Sequence, residues 1–112
     1  MIDSLYARYC KERSNLEMLS DESSFLTYRI SGPECFIGDM YIKDSERGSN
    51  KCKSLIAKLA DIAKEEKCKF ISANVALNDP GRNRTMRAAL KLGFEIADAN
   101  PSAILILKDL GG

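Results

Sequence analysis

Histidine is absent from this chain, and its four cysteines (Cys10, Cys35, Cys52 and Cys68) form no CxxC pair. The first absence removes Ser–His and Cys–His nucleophilic machinery, so any proton transfer falls to Asp, Glu, Tyr, Cys, Lys or water. The second leaves no local spacing for a structural zinc site and points to reduced, mostly buried thiols; no metal is expected. A surplus of one charge is missing too: 17 Lys and Arg against 16 Asp and Glu leave a net charge of +1. Dedicated nucleic-acid binders usually carry a basic excess, so that class is disfavoured. Long apolar runs are lacking, the longest being AILIL at 103–107, far too short to span a bilayer. The opening MIDSLYARYCKERSNLEML is studded with charge and does not read as a secretory signal. The expectation is a cytoplasmic protein without a membrane segment.

What is present fits one small domain, residues 1–112, with room for one core: 45% hydrophobic and 29% charged residues. Ile2, Leu5, Tyr6, Tyr9, Leu16 and Leu19 recur at mostly three- and four-residue spacing, which predicts an amphipathic helix over 2–19. SDESS (20–24) breaks it. FLTYRI (25–30) and CFIGDMYIK (35–43), joined by SGPE with Gly32 and Pro33, read as an antiparallel hairpin. A long helix at about 50–66 carries Leu55, Ile56, Leu59, Ile62 and Ala63 as one stripe. CKFISANVAL (68–77) is β-branched and apolar, as a central strand should be. RTMRAALKL (84–92) is a shorter helix closed by Gly93, and strands 94–100 and 102–110 follow on either side of Pro101. The order is α-β-β-α-β-α-β-β, a mixed α/β (α+β) sandwich of helices on a mostly antiparallel sheet. If strand 102–110 lies at an edge it can pair across a dimer, so both monomer and homodimer stay open.

Two stretches of this order carry a resemblance. The segment DMYIKDSERGSNKCKSLIAKLADIAKEEKCKFI (39–71) is similar to the cofactor-binding core of the GNAT acetyltransferase superfamily. There a strand is followed by an [Arg/Gln]-x-x-Gly-x-[Gly/Ala] loop that opens a long helix. The stretch RTMRAALKLGFEI (84–96) resembles the family's late helix, which ends in a Leu-Gly-Phe step into a strand. The resemblance runs from Phe25 to Leu110 and implies a GNAT-like sheet with helices on both faces. A chain this compact is similar to versions of the family carried by phage and mobile elements.

The resemblance implies an N-acetyltransferase that uses acetyl-CoA as co-substrate to acetylate an amine of a protein or small molecule by direct transfer. The physics agrees, because a pyrophosphate needs converging backbone N–H groups and a helix N-terminus supplies them with a favourable dipole. By resemblance, Arg47, Gly48, Ser49, Asn50, Lys51, Cys52 and Lys53 would hold the diphosphate. Met40, Tyr41 and Ile42 would pair with the pantetheine amides as an added strand. Asn83 stands within one residue of an asparagine that often begins the late helix. Asn50 and Cys52 replace small residues of the loop motif, although Asn tolerates left-handed backbone and Cys is small.

The family's glutamate base falls on Phe36 or Asn74, and its tyrosine acid on Ala89. Asp39, acting through water, and Asn74 are therefore the catalytic candidates. Strand alternation places Asp39 and Tyr41 opposite to Phe36, Gly38, Met40 and Ile42. Tyr28 could line the acceptor cleft. The alternative reading is a catalytically inactive GNAT-like domain that binds a partner protein, as a virion or regulatory component.

Overall fold

The computed structural model describes residues 16–43, 45, 50–78 and 80–111, together with Leu5, Arg8, Lys11 and Glu12. Among the described residues, six strands and two helices have defined bounds. They are β1 (Glu17–Ser20), β2 (Ser24–Ser31), β3 (Glu34–Ile42), α1 (Lys51–Glu65), β4 (Phe70–Ala76), α2 (Arg82–Lys91), β5 (Glu95–Ala99) and β6 (Ala103–Asp109). The strands form one sheet in the order β1-β2-β3-β4-β6-β5. Neighbours are antiparallel except for β3 and β4, which the α1 crossover makes parallel. Among the described residues no helix is long and apolar enough to cross a membrane.

The N-terminal expectation is half corrected. Leu5, Arg8, Lys11 and Glu12 are helical, but Glu17–Ser20 is a strand and not the end of a helix. Leu16 and Leu19 fit helical spacing, yet a local turn overrides it. Asp21 Oδ1 accepts the Ser23 N–H at 2.8 Å and the Ser24 hydroxyl at 3.0 Å, and the Asp21 N–H donates to the Ser24 carbonyl. This Asx turn folds β1 back on β2, placing Leu19 opposite Leu26 against the core.

The helix α1 buries four of the five residues of its predicted stripe, Leu55, Ile56, Leu59 and Ala63, while Ile62 is half-buried. It stops where Lys67 takes a left-handed φ of 64° and the Cys68 N–H returns to the Ala63 carbonyl. Gly93, at φ 94°, closes α2 in the same way. One buried cluster joins both helices to the sheet through Leu26, Cys35, Ile37, Ile71, Val75, Ala89 and Ile106. The strand β6 lies between β4 and β5, so it is not the edge strand that a pairing through 102–110 requires; β5 is the edge on that side. That edge is five residues long, bulged between Ile96 and Asp98, and carries Glu95 and Asp98, all of which blunt strand addition.

One irregularity shapes the centre of the sheet. Tyr28 pairs with Ile37 and Leu26 with Met40, so three steps on β3 match two on β2. The extra residue is a bulge at Gly38–Asp39. There the Asp39 N–H donates to Thr27 Oγ1 at 2.8 Å, and Thr27 is fully buried. Glycine is required by close approach, since a Cβ at Gly38 would sit 2.7 Å from Thr27 Oγ1 and 3.1 Å from Leu16 Cδ1. The bulge also breaks the alternation expected of β3. Met40 and Ile42 share the helix-bearing face with Cys35 and Ile37, whereas Phe36 shares the opposite face with Tyr41.

Gly38→Ala should destabilise the protein by about 1–3 kcal/mol in urea unfolding, as overpacking of a tight site does. Thr27→Ala should cost about 1–3 kcal/mol by leaving the Asp39 amide without its partner. Since both act on one oxygen, the double variant should cost less than the sum. Strict additivity would show that Thr27 Oγ1 is not what Gly38 accommodates.

Candidate active site

Beyond the bulge, β3 and β4 part. They pair from Glu34↔Phe70 to Ile37↔Ala73 only, although β3 continues to Ile42 and β4 to Ala76. Past that point the two strands run on as separate arms, β3 paired with β2 and β4 with β6, and α1 and α2 each begin a short loop after their carboxyl ends. A wedge therefore opens in the sheet with two helix N-termini at its mouth, the place where α/β sheets bind ligands. Neither helix has an acidic residue in its first turn. Acidic first turns are the favourable choice for an isolated helix, so neither first turn supplies its own countercharge to the dipole. Lys51, Lys53, Arg82 and Arg84 add cationic charge to the same turns.

At the start of α1, Asn50 is the N-cap residue, and its side chain makes no capping hydrogen bond. Asn50 itself therefore adds no side-chain cap to that turn, the end of a helix that favours anions. Asn50 has φ −85° and ψ 20°, an ordinary conformation. Its glycine-replacing position needs no left-handed backbone. Cys52 is half-buried, with Sγ 4.0 Å from Met40 Sδ, so it seals α1 onto the β3 arm. Burial raises its thiol above the usual range and, with Cys68 and Glu34 nearby, pushes Cys35 up to about 12, so both persist as unreactive thiols. The Lys51 ammonium lies 3.3 Å from Asp21 Oδ2, in a pair whose side chains are only 27% and 28% exposed.

The arms carry the other predicted residues. Met40 and Ile42 face α1, and Tyr41 turns to the opposite face with its ring 5.9 Å from that of Phe25. Asp39, in the bulge, and Asn74, one residue past the last β3–β4 pair, both lie exposed beside the opening of the wedge. Asn74 shares the face of Phe36 and Ser72. Asn83 is exposed in the first turn of α2. Arg47, Gly48 and Ser49 lie outside the described residues. The two positions of a family base and acid are accounted for otherwise: Phe36 lies beneath the Arg29 guanidinium at 5.4 Å, and Ala89 is buried in the core. Tyr28 is not beside the wedge. It lines a separate cleft of about 330 Å³ with Glu17, Ile62 and Glu66, where burial and then the Glu17 charge raise its hydroxyl.

Sequence reasoning missed Asp21, Thr27 and Gly38. The D-x-S-S spacing of an Asx turn and a glycine inside a strand pattern were the available signals. Neither says which distant residue it meets.

Known proteins share this arrangement. A model of the acetyltransferase (GNAT) family matches residues 8–94. The fold is that of the PaiA N-acetyltransferase of Thermoplasma acidophilum, solved with coenzyme A, with a TM-score of 0.76 and 19% identity. That likeness covers 94% of this chain and 69% of the other. The ribosomal-protein-S18-alanine N-acetyltransferase of Escherichia coli matches with a TM-score of 0.73 and 11% identity, over 98% and 79%. An aminoglycoside 6′-N-acetyltransferase complexed with coenzyme A gives 0.70 and 12%, over 85% and 72%. Among curated sequences, the dITP/XTP pyrophosphatase of Haemophilus influenzae is 31% identical over 77 residues, 68% of this chain. The chain spans only 40% of that protein's length. With the family's pattern matched over most of its length and its fold reproduced around a splayed parallel pair, the chain belongs to the GNAT acetyltransferase family.

Proposed function

We propose that the protein is an acetyl-CoA-dependent N-acetyltransferase that modifies an amine of a protein or small molecule by direct transfer. One observation carries the reading: the β3–β4 wedge opens between two helix N-termini whose first turns hold cations and no acid. The residues fit acetyl-CoA. The diphosphate would lie on the first turn of α1, with Asn50, Lys51, Cys52 and Lys53, and with Arg47, Gly48 and Ser49 from the preceding loop. Asn83 would approach from α2. Met40, Tyr41 and Ile42 lie on β3 past its last pair with β4, where the family resemblance would set the pantetheine as an added strand. Acceptors named for similar solved structures include the alanine of ribosomal protein S18 and an aminoglycoside, both acetylated on nitrogen.

Acetyl-CoA supplies the acetyl group as a thioester. The chain's own contribution is to hold thioester and amine at one opening, which supplies much of the acceleration. The Asp39 amide is engaged with Thr27 Oγ1, so a carbonyl-polarising N–H would come from another residue of Gly38–Ile42. Asp39 would remove the amine proton through a water molecule, and Asn74 would orient it across the opening. A second reading has its own support. Phe36, Asn74 and Ala89 stand where the family's base and acid would be, which suits a domain that binds acetyl-CoA or a partner protein without turnover.

Acetyl-CoA at a hundredfold its Kd should add about 2.7 kcal/mol and raise the melting temperature by several degrees. An unchanged melting curve at millimolar acetyl-CoA would rule out the cofactor site. Asp39→Asn should lower kcat about 10²-fold or more while leaving the acetyl-CoA-induced shift intact. A wild-type shift without acetylation of any amine in a broad acceptor panel selects the inactive reading.

A further inference from the structure

The first turn of α1 contains no acid, yet among the described residues a carboxylate is brought to it from elsewhere in the chain. Asp21 belongs to the β1–β2 turn, thirty positions before Lys51, and its Oδ2 lies 3.3 Å from the Lys51 ammonium. The carboxylate is not on a loose surface chain. Its other oxygen takes the Ser23 N–H at 2.8 Å and the Ser24 hydroxyl at 3.0 Å. Ser24 is buried, and the Lys43 N–H donates to the Ser23 carbonyl at 2.7 Å, tying the turn to the end of β3. The pair is about three-quarters buried on both sides, so solvent and salt screen it less than an ordinary surface ion pair. A fixed negative charge therefore faces a lysine of the helix's first turn, the end that an anionic ligand favours, and already pairs with that lysine.

We propose that Asp21 sets the affinity of the cofactor site: it holds Lys51 when the cleft is free and yields it to the diphosphate of the incoming ligand. The inference rests on the acetyl-CoA reading above. Acetyl-CoA and the product CoA carry the same diphosphate, so Asp21 competes with both for Lys51. It thereby limits how tightly the product is retained. Asp21 is an affinity-determining residue and touches no reacting atom. Its carboxyl is held well below the usual carboxylate range by the Ser23 N–H, the Ser24 hydroxyl and Lys51, so it remains charged across the neutral and mildly acidic range.

The test is calorimetric titration of CoA into wild type, Asp21→Asn, Lys51→Met and the double variant at low ionic strength. Asparagine keeps the acceptor oxygen of the Asx turn and removes the charge. Asp21→Asn should tighten CoA by about three- to tenfold, Lys51→Met should weaken it, and the gain from Asp21→Asn should shrink by at least about twofold in the Lys51→Met background. A second measurement needs no variant: carboxyl NMR titration of Asp21 in the wild type, with and without saturating CoA. Loss of Lys51 to the ligand should raise the Asp21 pKa. Equal or weaker CoA binding by Asp21→Asn, or an Asp21 titration unmoved by CoA, overturns the inference. CoA binding without either effect overturns this inference alone, whereas no CoA binding by the wild type overturns the cofactor reading with it.

Discussion

The fold turns on one bulge. A parallel pair in the middle of a sheet would normally run its full length, because every unpaired N–H and C=O inside a protein costs free energy. Here the extra residue at Gly38–Asp39 bends β3 and re-aims the residues after it, and the β3–β4 ladder ends at Ile37↔Ala73. The buried Thr27 hydroxyl takes the Asp39 amide, so the distortion leaves that donor satisfied. Glycine at 38 lets Thr27 and Leu16 approach. Past the Ile37↔Ala73 pair β3 and β4 diverge, and the proposed acetyl-CoA site lies where they part. The second half of the constraint is electrostatic. Both helices start at the open end, and their acid-free first turns aim two positive dipole ends at it.

Much of this was legible in the residues. The apolar stripe of α1, the central character of β4, the glycine stop after α2 and the two family signatures all follow from local pattern, because burial imposes its period on the chain. The strand at Glu17–Ser20 did not, since Leu16 and Leu19 suit either period and only the Asp21 turn and pairing with β2 decide between them. The bulge was hidden for a similar reason. Alternation counts residues, and one extra residue reverses every side chain beyond it, as Met40 and Ile42 illustrate. The position of β6 inside the sheet, and the Asp21–Lys51 pair, depend on contacts between segments tens of residues apart. No local spacing encodes them.

The loop into α1 raises the sharpest question for a functional site, because its motif carries Asn50 and Cys52 where small residues are usual. Glycine serves such loops in two separable ways: it permits left-handed dihedrals, and it lets backbone approach the ligand closely. At Asn50 the first use is not called on, since φ is −85° and ψ is 20°. At Cys52 the side chain turns toward Met40, with the two sulfurs 4.0 Å apart, so its bulk goes into the α1–β3 contact. Both replacements are therefore compatible with an N-terminus whose amides face outward. What sets this helix start apart is its charge: Lys51 is already matched by a carboxylate fixed in a turn, and under the proposed reading a diphosphate would have to displace Asp21 to reach it. A site built this way would bind through backbone amides and dipole first, with the lysine as an adjustable contribution set by a residue of the turn between β1 and β2.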